Sequence, residues 1–237
     1  MSSGIYVATA GAVAQSSALD ATANNIANAS TAGFHGDRVT FREALSAARS
    51  PDVATVGAGT TRIDGQAGAL TPTANPLDLA LDGDGYFGVT TPNGPRYTRA
   101  GNFQLDDARN LVTSEGLAVR GEGGAAINIP AEARTIAVGI DGTVSADGED
   151  LGKLELVRFA PTQVKREGGT LVSATGRPLA GDPPKVRSGM LESSNVNVVR
   201  GVVDLVKVSR TYESLMRVIQ GYHDCESRAA RELGTPK

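Results

Sequence analysis

The hydrophobic pattern changes period twice along the chain. Ile5, Ala8, Ala12, Gln15, Leu19, Thr22 and Ile26 step by threes and fours, the spacing that places residues on one face of a helix. This stripe is thin, because Gln15 and Thr22 interrupt it and only Ile5, Leu19 and Ile26 are large aliphatics. A stronger stripe runs through Val198, Val202, Leu205, Ser209, Tyr212, Met216, Ile219 and His223. Ser193-Ser194-Asn195 supplies capping side chains just before it, and Gly234 and Pro236 stand where such a helix stops. Gly201 inside the stripe weakens the helix by about 1 kcal/mol relative to Ala.

Between these ends the period is two. Leu77, Leu79 and Leu81 alternate with Asp78 and Ala80, and Ile136, Val138 and Ile140 alternate again. Short runs at Tyr86–Thr90, Arg96–Thr98, Phe103–Leu105, Leu111–Thr113, Leu117–Val119 and Leu154–Phe159 are separated by Gly, Asn and Asp, with Asn93-Gly94 as a hairpin turn. The pattern predicts an α+β chain, mainly β. An antiparallel β-domain over 76–189 is flanked by long terminal helices, 1–45 with 190–237, that pair as a coiled coil. Residues 46–75, rich in Gly, Thr, Ala and Asp with little periodicity, read as an extended arm with one or two strands. The small residues Ala10, Ala14, Ala18 and Ala21 lie off the first stripe and would let further helices approach. A seam this thin is either completed by neighbouring subunits or forms an ordinary helical hairpin capping the β-domain.

Composition narrows the function. Net charge is −3 with a pI near 5.5, so the basic footprint of a nucleic-acid binder is missing. Glycine reaches 29 residues while aromatics are 4% with no Trp, which fits a chain of turns and close backbone packing. A single cysteine, Cys225, and two histidines, His35 and His223, leave little material for disulfides, zinc modules or histidine acid–base chemistry. No apolar run approaches the ~20 residues of a membrane helix. Ala12-Val13-Ala14 resembles a cleavage site, but no Lys or Arg precedes Arg38, so the positive region of a secretory signal is missing.

Candidate chemistry is sparse. The sequence has no nucleophile elbow, phosphate loop, C-x-x-C or H-E-x-x-H motif. Asp82-Gly83-Asp84-Gly85 lacks calcium-loop spacing and reads as a tight turn. His223 and Cys225, two apart on a helix, face different ways. His35 reads as a solvated loop histidine. Tyr86, Phe87, Tyr97 and Phe103 read as core. Neither cofactor nor metal is expected.

One segment is far more specific. Ala23-Asn24-Asn25-Ile26-Ala27-Asn28-Ala29-Ser30-Thr31-Ala32-Gly33-Phe34 resembles the N-terminal signature of bacterial flagellar rod and hook proteins. Its asparagines suit a helix end, Gly33 permits a positive φ, and Phe34 can anchor the turn. Asn75–Phe87, Tyr97–Phe103 with Leu111–Thr113, Gly189–Val196 and Arg210–Glu213 resemble that family's further segments in order. His35, Gly201 and Val208-Ser209 depart from its usual residues.

The resemblance implies a structural subunit of the basal-body rod, not an enzyme. Such a subunit is exported unfolded by the flagellar type III apparatus without signal cleavage. It polymerises with copies of itself and other rod proteins into the periplasmic shaft that carries torque to the hook. The resemblance makes Asn24, Asn25, Ala27, Asn28, Thr31, Gly33 and Phe34 the signature for export and assembly. Ile5, Leu19, Ile26, Val198, Val202, Leu205, Tyr212, Met216 and Ile219 are the expected packing positions, with Arg210 and Glu213 as a surface pair or an intersubunit contact. The N-terminus Ser3–Ala8 and the short middle favour the proximal rod type. A distal rod or hook-type subunit, a non-polymerising adaptor or scaffold, and a wall-acting enzyme stay open as alternatives. No nucleic acid or small-molecule substrate is expected.

Overall fold

The computed structural model describes residues 2–45 and 54–233. The chain is α+β, with mainly antiparallel strands and a helix near each end. It divides into two compact units: residues 1–27, 37–62 and 197–237 form the first, and residues 28–36 and 63–196 the second.

The first unit holds helix α1 (Ser2–Ala27), the paired strands β1 (Asp37–Leu45) and β2 (Ala54–Ile63), and a long C-terminal helix, Val198–Leu233, here α2. The two helices pack against each other in antiparallel sense. A Cβ on Gly4 would meet Tyr222, one on Gly11 would meet Leu215, and one on Gly201 would meet Ile26. Ala8, Ala12, Ala14 and Ala18 are the buried positions of α1. Ala14 and Ala18, expected on faces left for other helices, are therefore already covered within this chain. Small side chains are what allow α2 and β1 to approach α1 closely.

The stripe on α2 also differs in detail. Leu205, Tyr212 and Ile219 are half-buried, together with Gly201, Val208 and Leu215. Val198, Val202 and Met216 are exposed. A helix of 3.6 residues per turn drifts against a strict seven-residue repeat, and the close approach at Gly201 fixes which row meets α1. The cap is Asn197, whose Oδ1 accepts the Arg200 amide at 3.0 Å; Ser193-Ser194-Asn195 precede it without capping. The expected terminators Gly234 and Pro236 lie outside the described residues, as does part of the expected arm, 46–53.

Gly201 is a packing residue rather than only a weak point. A Cβ there would sit 2.9 Å from Ile26 Cγ1, closer than side chains tolerate. Gly201→Ala is expected to destabilise the helix pair by about 1–3 kcal/mol through overpacking, although Ala is the better helix former. Thermal unfolding monitored by helical circular dichroism checks this; a raised Tm would mean Ile26 moves aside at no cost.

The second unit carries β3 (Leu70–Pro72), β4 (Leu79–Asp82), β5 (Tyr86–Thr91), β6 (Gly94–Thr98), β7 (Phe103–Leu105), β8 (Leu111–Thr113) and β9 (Ile136–Val138). It continues with β10 (Thr143–Ala146), β11 (Glu149–Lys153), β12 (Leu156–Val157), β13 (Val164–Gly168), β14 (Leu171–Ala174), β15 (Lys185–Ser188) and β16 (Met190–Glu192). A five-stranded sheet runs β12-β5-β6-β14-β13 and a three-stranded one β11-β10-β9. β15 pairs with β4, β16 with β3, and β7 with β8. Leu79, Leu81, Phe87, Phe103, Leu111 and Leu154 anchor the core, and the Phe87 and Phe103 rings meet edge-on at 5.1 Å.

The hairpin from β5 to β6 turns through Pro92-Asn93, not Asn93-Gly94 as expected: Gly94, at φ 101°, is already paired with Thr91 as the first residue of β6. The strand expected over Leu154–Phe159 is shorter: only Leu156–Val157 pairs with β5, while Leu154 bridges to Gly121. Leu117–Val119 makes single bridges through Ala118 and Val119 instead of a strand. Ile140, expected to continue the alternation, lies past β9 and is exposed. Alternation cannot reveal where a bend ends a ladder.

Candidate functional site

The signature segment spans the end of α1 and the loop after it. Asn24 and Asn25 lie in the last turns of α1, and Ala27 closes it. The Asn25 amide binds the backbone of Asp37 twice: Nδ2 donates to its carbonyl at 2.8 Å and Oδ1 accepts its amide at 2.7 Å. One side chain thus acts toward the start of β1 as a neighbouring strand would. A residue able both to donate and to accept is required there, which explains an asparagine at a position poor for helix propensity.

Residues 28–36 belong to the second unit. The Thr31 amide and hydroxyl both return to Asn28, at 3.1 and 3.3 Å. Gly33 adopts φ 65°. A Cβ on it would lie 2.4 Å from the Ala100 nitrogen and the Arg99 carbonyl carbon, so backbone passes where a side chain would stand. The Gly33 amide donates to the Glu192 carbonyl at 2.7 Å. Phe34 is fully buried, with the Arg166 guanidinium 4.4 Å from its ring centre.

His35 differs from its expected role. It is buried, not solvated, with Nε2 2.8 Å from Glu192 Oε1 and Nδ1 3.0 Å from the Asp64 carbonyl oxygen. Glu192, only 2% exposed, accepts two further donations. Arg99 Nε donates to Oε2 at 2.6 Å and the Gly68 amide to Oε1 at 2.8 Å. Arg99 also donates through Nη1 to the Gly85 carbonyl at 2.8 Å. Asn195 completes the cluster, accepting the Gly36 amide at 2.8 Å and donating to the Gln66 carbonyl at 2.7 Å. The loop 28–36, the stretch 63–68 and the end of β16 are thereby tied to one another through a single buried carboxylate and one amide.

Burial by itself would push the Glu192 carboxyl up. The His35 hydrogen bond, the Arg99 charge and hydrogen bond, and the Gly68 amide outweigh it and hold the group below its ordinary 4.5. A lowered carboxyl binds fewer protons folded than unfolded, so its contribution is complete above the ordinary value and disappears as pH falls through the lowered one. Thermal melts are expected to show stability falling below about pH 5, with a flatter acid limb in Glu192→Gln. Equal acid limbs in both proteins would refute this.

Sequence reading missed Arg99, Glu192 and Asn195 as a cluster. Each sits inside a segment resembling the rod family, Y-T-R or L-E-x-S-N, but pairing between residues this far apart leaves no local signal. Of the expected packing positions, Ile5, Leu19 and Ile26 on α1 are half-buried. Arg210 and Glu213 do not form the ion pair considered; Glu213 reaches Arg217 at 4.0 Å. His223 and Cys225 are exposed. Among the described residues no group of His, Cys, Asp and Glu is arranged to hold a metal, and no helix is long and apolar enough to cross a membrane. The arrangement braces backbone segments.

Three family models match the chain in sequence order. Residues 5–35 match the flagella basal body rod protein model, residues 80–146 the D1 domain of flagellar hook protein FlgE/F/G, and residues 187–232 the C-terminal model of flagellar basal body rod FlgEFG proteins. The flagellar basal-body rod protein FlgF of Rhizobium meliloti is 32% identical, covering 99% of each chain. FlgF of Escherichia coli is 36% identical over 98% of this chain and 99% of its own. The rod protein FlgG of Bacillus subtilis is 36% identical over 85% of this chain and 88% of its own. The cluster of Gly33, His35, Arg99 and Glu192 lies in or beside the matched segments, and the chain belongs to the flagellar basal-body rod protein family, a structural component of the bacterial flagellum and not an enzyme.

Proposed function

We propose that the chain polymerises with copies of itself and with other rod proteins into the periplasmic drive shaft, after unfolded export by the flagellar type III apparatus without signal cleavage. In this reading α1 and α2 pair as a coiled coil in the inner layer of the tube, the β-rich unit forms the outer layer, and the subunit is of the proximal type. The signature residues Asn24, Asn25, Ala27, Asn28, Thr31, Gly33 and Phe34 serve export and assembly.

One observation carries the reading. The helices leave large apolar side chains uncovered: Tyr6 is 69% exposed, Val13 55% and Val199 77%, with Val202, Val203 and Val206 near half. Val199, Val203 and Val206 lie on a different side of α2 from the row that meets α1. Such side chains gain about 1.5–3 kcal/mol each when fully covered, and contiguous exposed apolar surface marks an interaction site. The expected packing positions Val198, Val202 and Met216 are also exposed, which suits contacts with neighbouring subunits.

The test is retention in detergent-washed basal bodies, followed by quantitative mass spectrometry. Wild type is expected at a fixed small copy number per motor. Val203→Asp and Val206→Asp are expected to be lost while their β-rich unit stays folded in the purified protein. Retention of both variants at the wild-type level would overturn this use of the valine face.

A further inference from the structure

We infer that a cavity in the β-rich unit binds a carboxylate carried on an apolar stem, with Arg158 as its anchor. The cavity measures about 210 Å³, smaller than the sites of drug-sized ligands and sufficient for one short side chain or ring. Ile63, Phe159, Pro161, Val164 and Leu179 give it apolar walls. All of its lining residues belong to the one unit.

Arg158, just after β12, is the unexplained group. Its side chain is half-buried, and its Nε is fully buried without an acceptor. Among the described residues no hydrogen bond or ion pair engages its guanidinium. A guanidinium drawn out of water with no acceptor loses hydration and regains nothing, and an unsatisfied buried donor in a folded unit points to a group that belongs beside it. With Nε covered, the two Nη groups are the ones a ligand meets, and together they match the two oxygens of a carboxylate.

The other charges nearby are taken or exposed. Arg99 is paired with Glu192, and both ring nitrogens of His35 face acceptors. Asp84 lines the same cavity, but it is exposed and water screens it. A second hollow bordering Arg158 holds Asp82 and Asp182. Asp82 is paired with Arg187, and neither carboxylate forms an ion pair with Arg158. One unpaired unit of positive charge suits a singly charged carboxylate better than a phosphate.

The walls are set before a ligand arrives. The Leu179 amide donates to the Arg158 carbonyl at 2.7 Å, and the Thr175 amide to the Gln163 carbonyl at 2.8 Å. The Ala160 amide donates to Gln163 Oε1 at 3.0 Å. These bonds fix the turn 158–163 against the loop that carries Leu179, so little ordering is left to oppose binding. Two sources supply such a carboxylate: an acidic side chain of a second copy, which rests on the assembly proposed above, or a free small molecule.

Benzoate is the probe, added to the full chain and followed by amide NMR. Saturable shifts are expected at Gly85, Phe159 and Leu179, half complete at about 1 mM, the range of so small a ligand. Benzamide, the same shape without the charge, is expected to leave them unmoved. Arg158→Gln is expected to weaken benzoate at least about tenfold, with Tm unchanged or raised, because no partner inside the chain is lost. Sedimentation separates the two sources. Self-association at high concentration that benzoate and Arg158→Gln each abolish assigns the carboxylate to a second copy. Benzoate binding with unaltered sedimentation assigns it to a free molecule, so the site and the assembly are tested apart. Absence of saturable shifts, equal shifts with benzamide, or equal affinity in Arg158→Gln would overturn the proposal. A fall in Tm for Arg158→Gln would mark a structural arginine and overturn its role as anchor.

Discussion

Gly33→Ala is expected to unfold or misassemble the β-rich unit, with a loss of at least about 3 kcal/mol. Two independent costs add. An alanine at φ 65° carries the left-handed penalty of about 1–2 kcal/mol. Its Cβ would also lie 2.4 Å from backbone atoms of Arg99 and Ala100, and backbone inside a packed unit cannot swing aside as a side-chain tip can. Relief requires the loop to lift, which breaks the Gly33-to-Glu192 hydrogen bond and pulls Phe34 from its site. A fall in Tm of the purified protein, with loss of swimming when the variant is the sole copy, checks this. A variant melting within a degree or two of wild type would show that the loop shifts cheaply.

Glu192→Ala is expected to cost about 3–5 kcal/mol, the range for breaking one side of a buried ion pair. The loss exceeds that of the hydrogen bonds because Arg99, 5% exposed, would remain charged without its partner. The companion experiment separates charge from packing. Arg99→Met with Glu192→Met, which removes both charges and keeps apolar volume, is expected to be less destabilised than Glu192→Ala alone. Denaturant unfolding of wild type, Glu192→Ala and the double variant decides it; a double variant no more stable than Glu192→Ala would place the value of Glu192 in hydrogen bonds to the loop.

Much of this fold could be read from residue order. Terminal helices followed from the three-four spacing around Leu19 and Leu205. A hairpin near Asn93-Gly94 followed from turn chemistry, one residue off because the turn is Pro92-Asn93 and Gly94 opens β6, and β7 and β8 coincide with the short runs at Phe103 and Leu111. Local signals failed where distant segments decide the outcome. His35 has the neighbours of an exposed turn residue in sequence, yet its ring partners are Asp64 and Glu192. Gly201 has the propensity of a weak spot and the role of a contact, which only Ile26 opposite it reveals. The row on α2 that meets α1 was ambiguous because valines occupy both sides of the helix, and hydrophobicity cannot rank two apolar faces.

The first unit is assembled from both ends of the chain, with the β-rich unit inserted between them. A polypeptide delivered end first through a narrow passage therefore presents one helix long before its partner arrives. The β-rich unit is built from residues 28–36 and 63–196, so all of its residues are delivered while pairing of α1 with α2 still waits for the last of α2. On the export route proposed above, chain order would act as a timer: an incompletely delivered subunit would lack the helix pair, and truncation at either terminus would remove it while sparing every residue of the other unit.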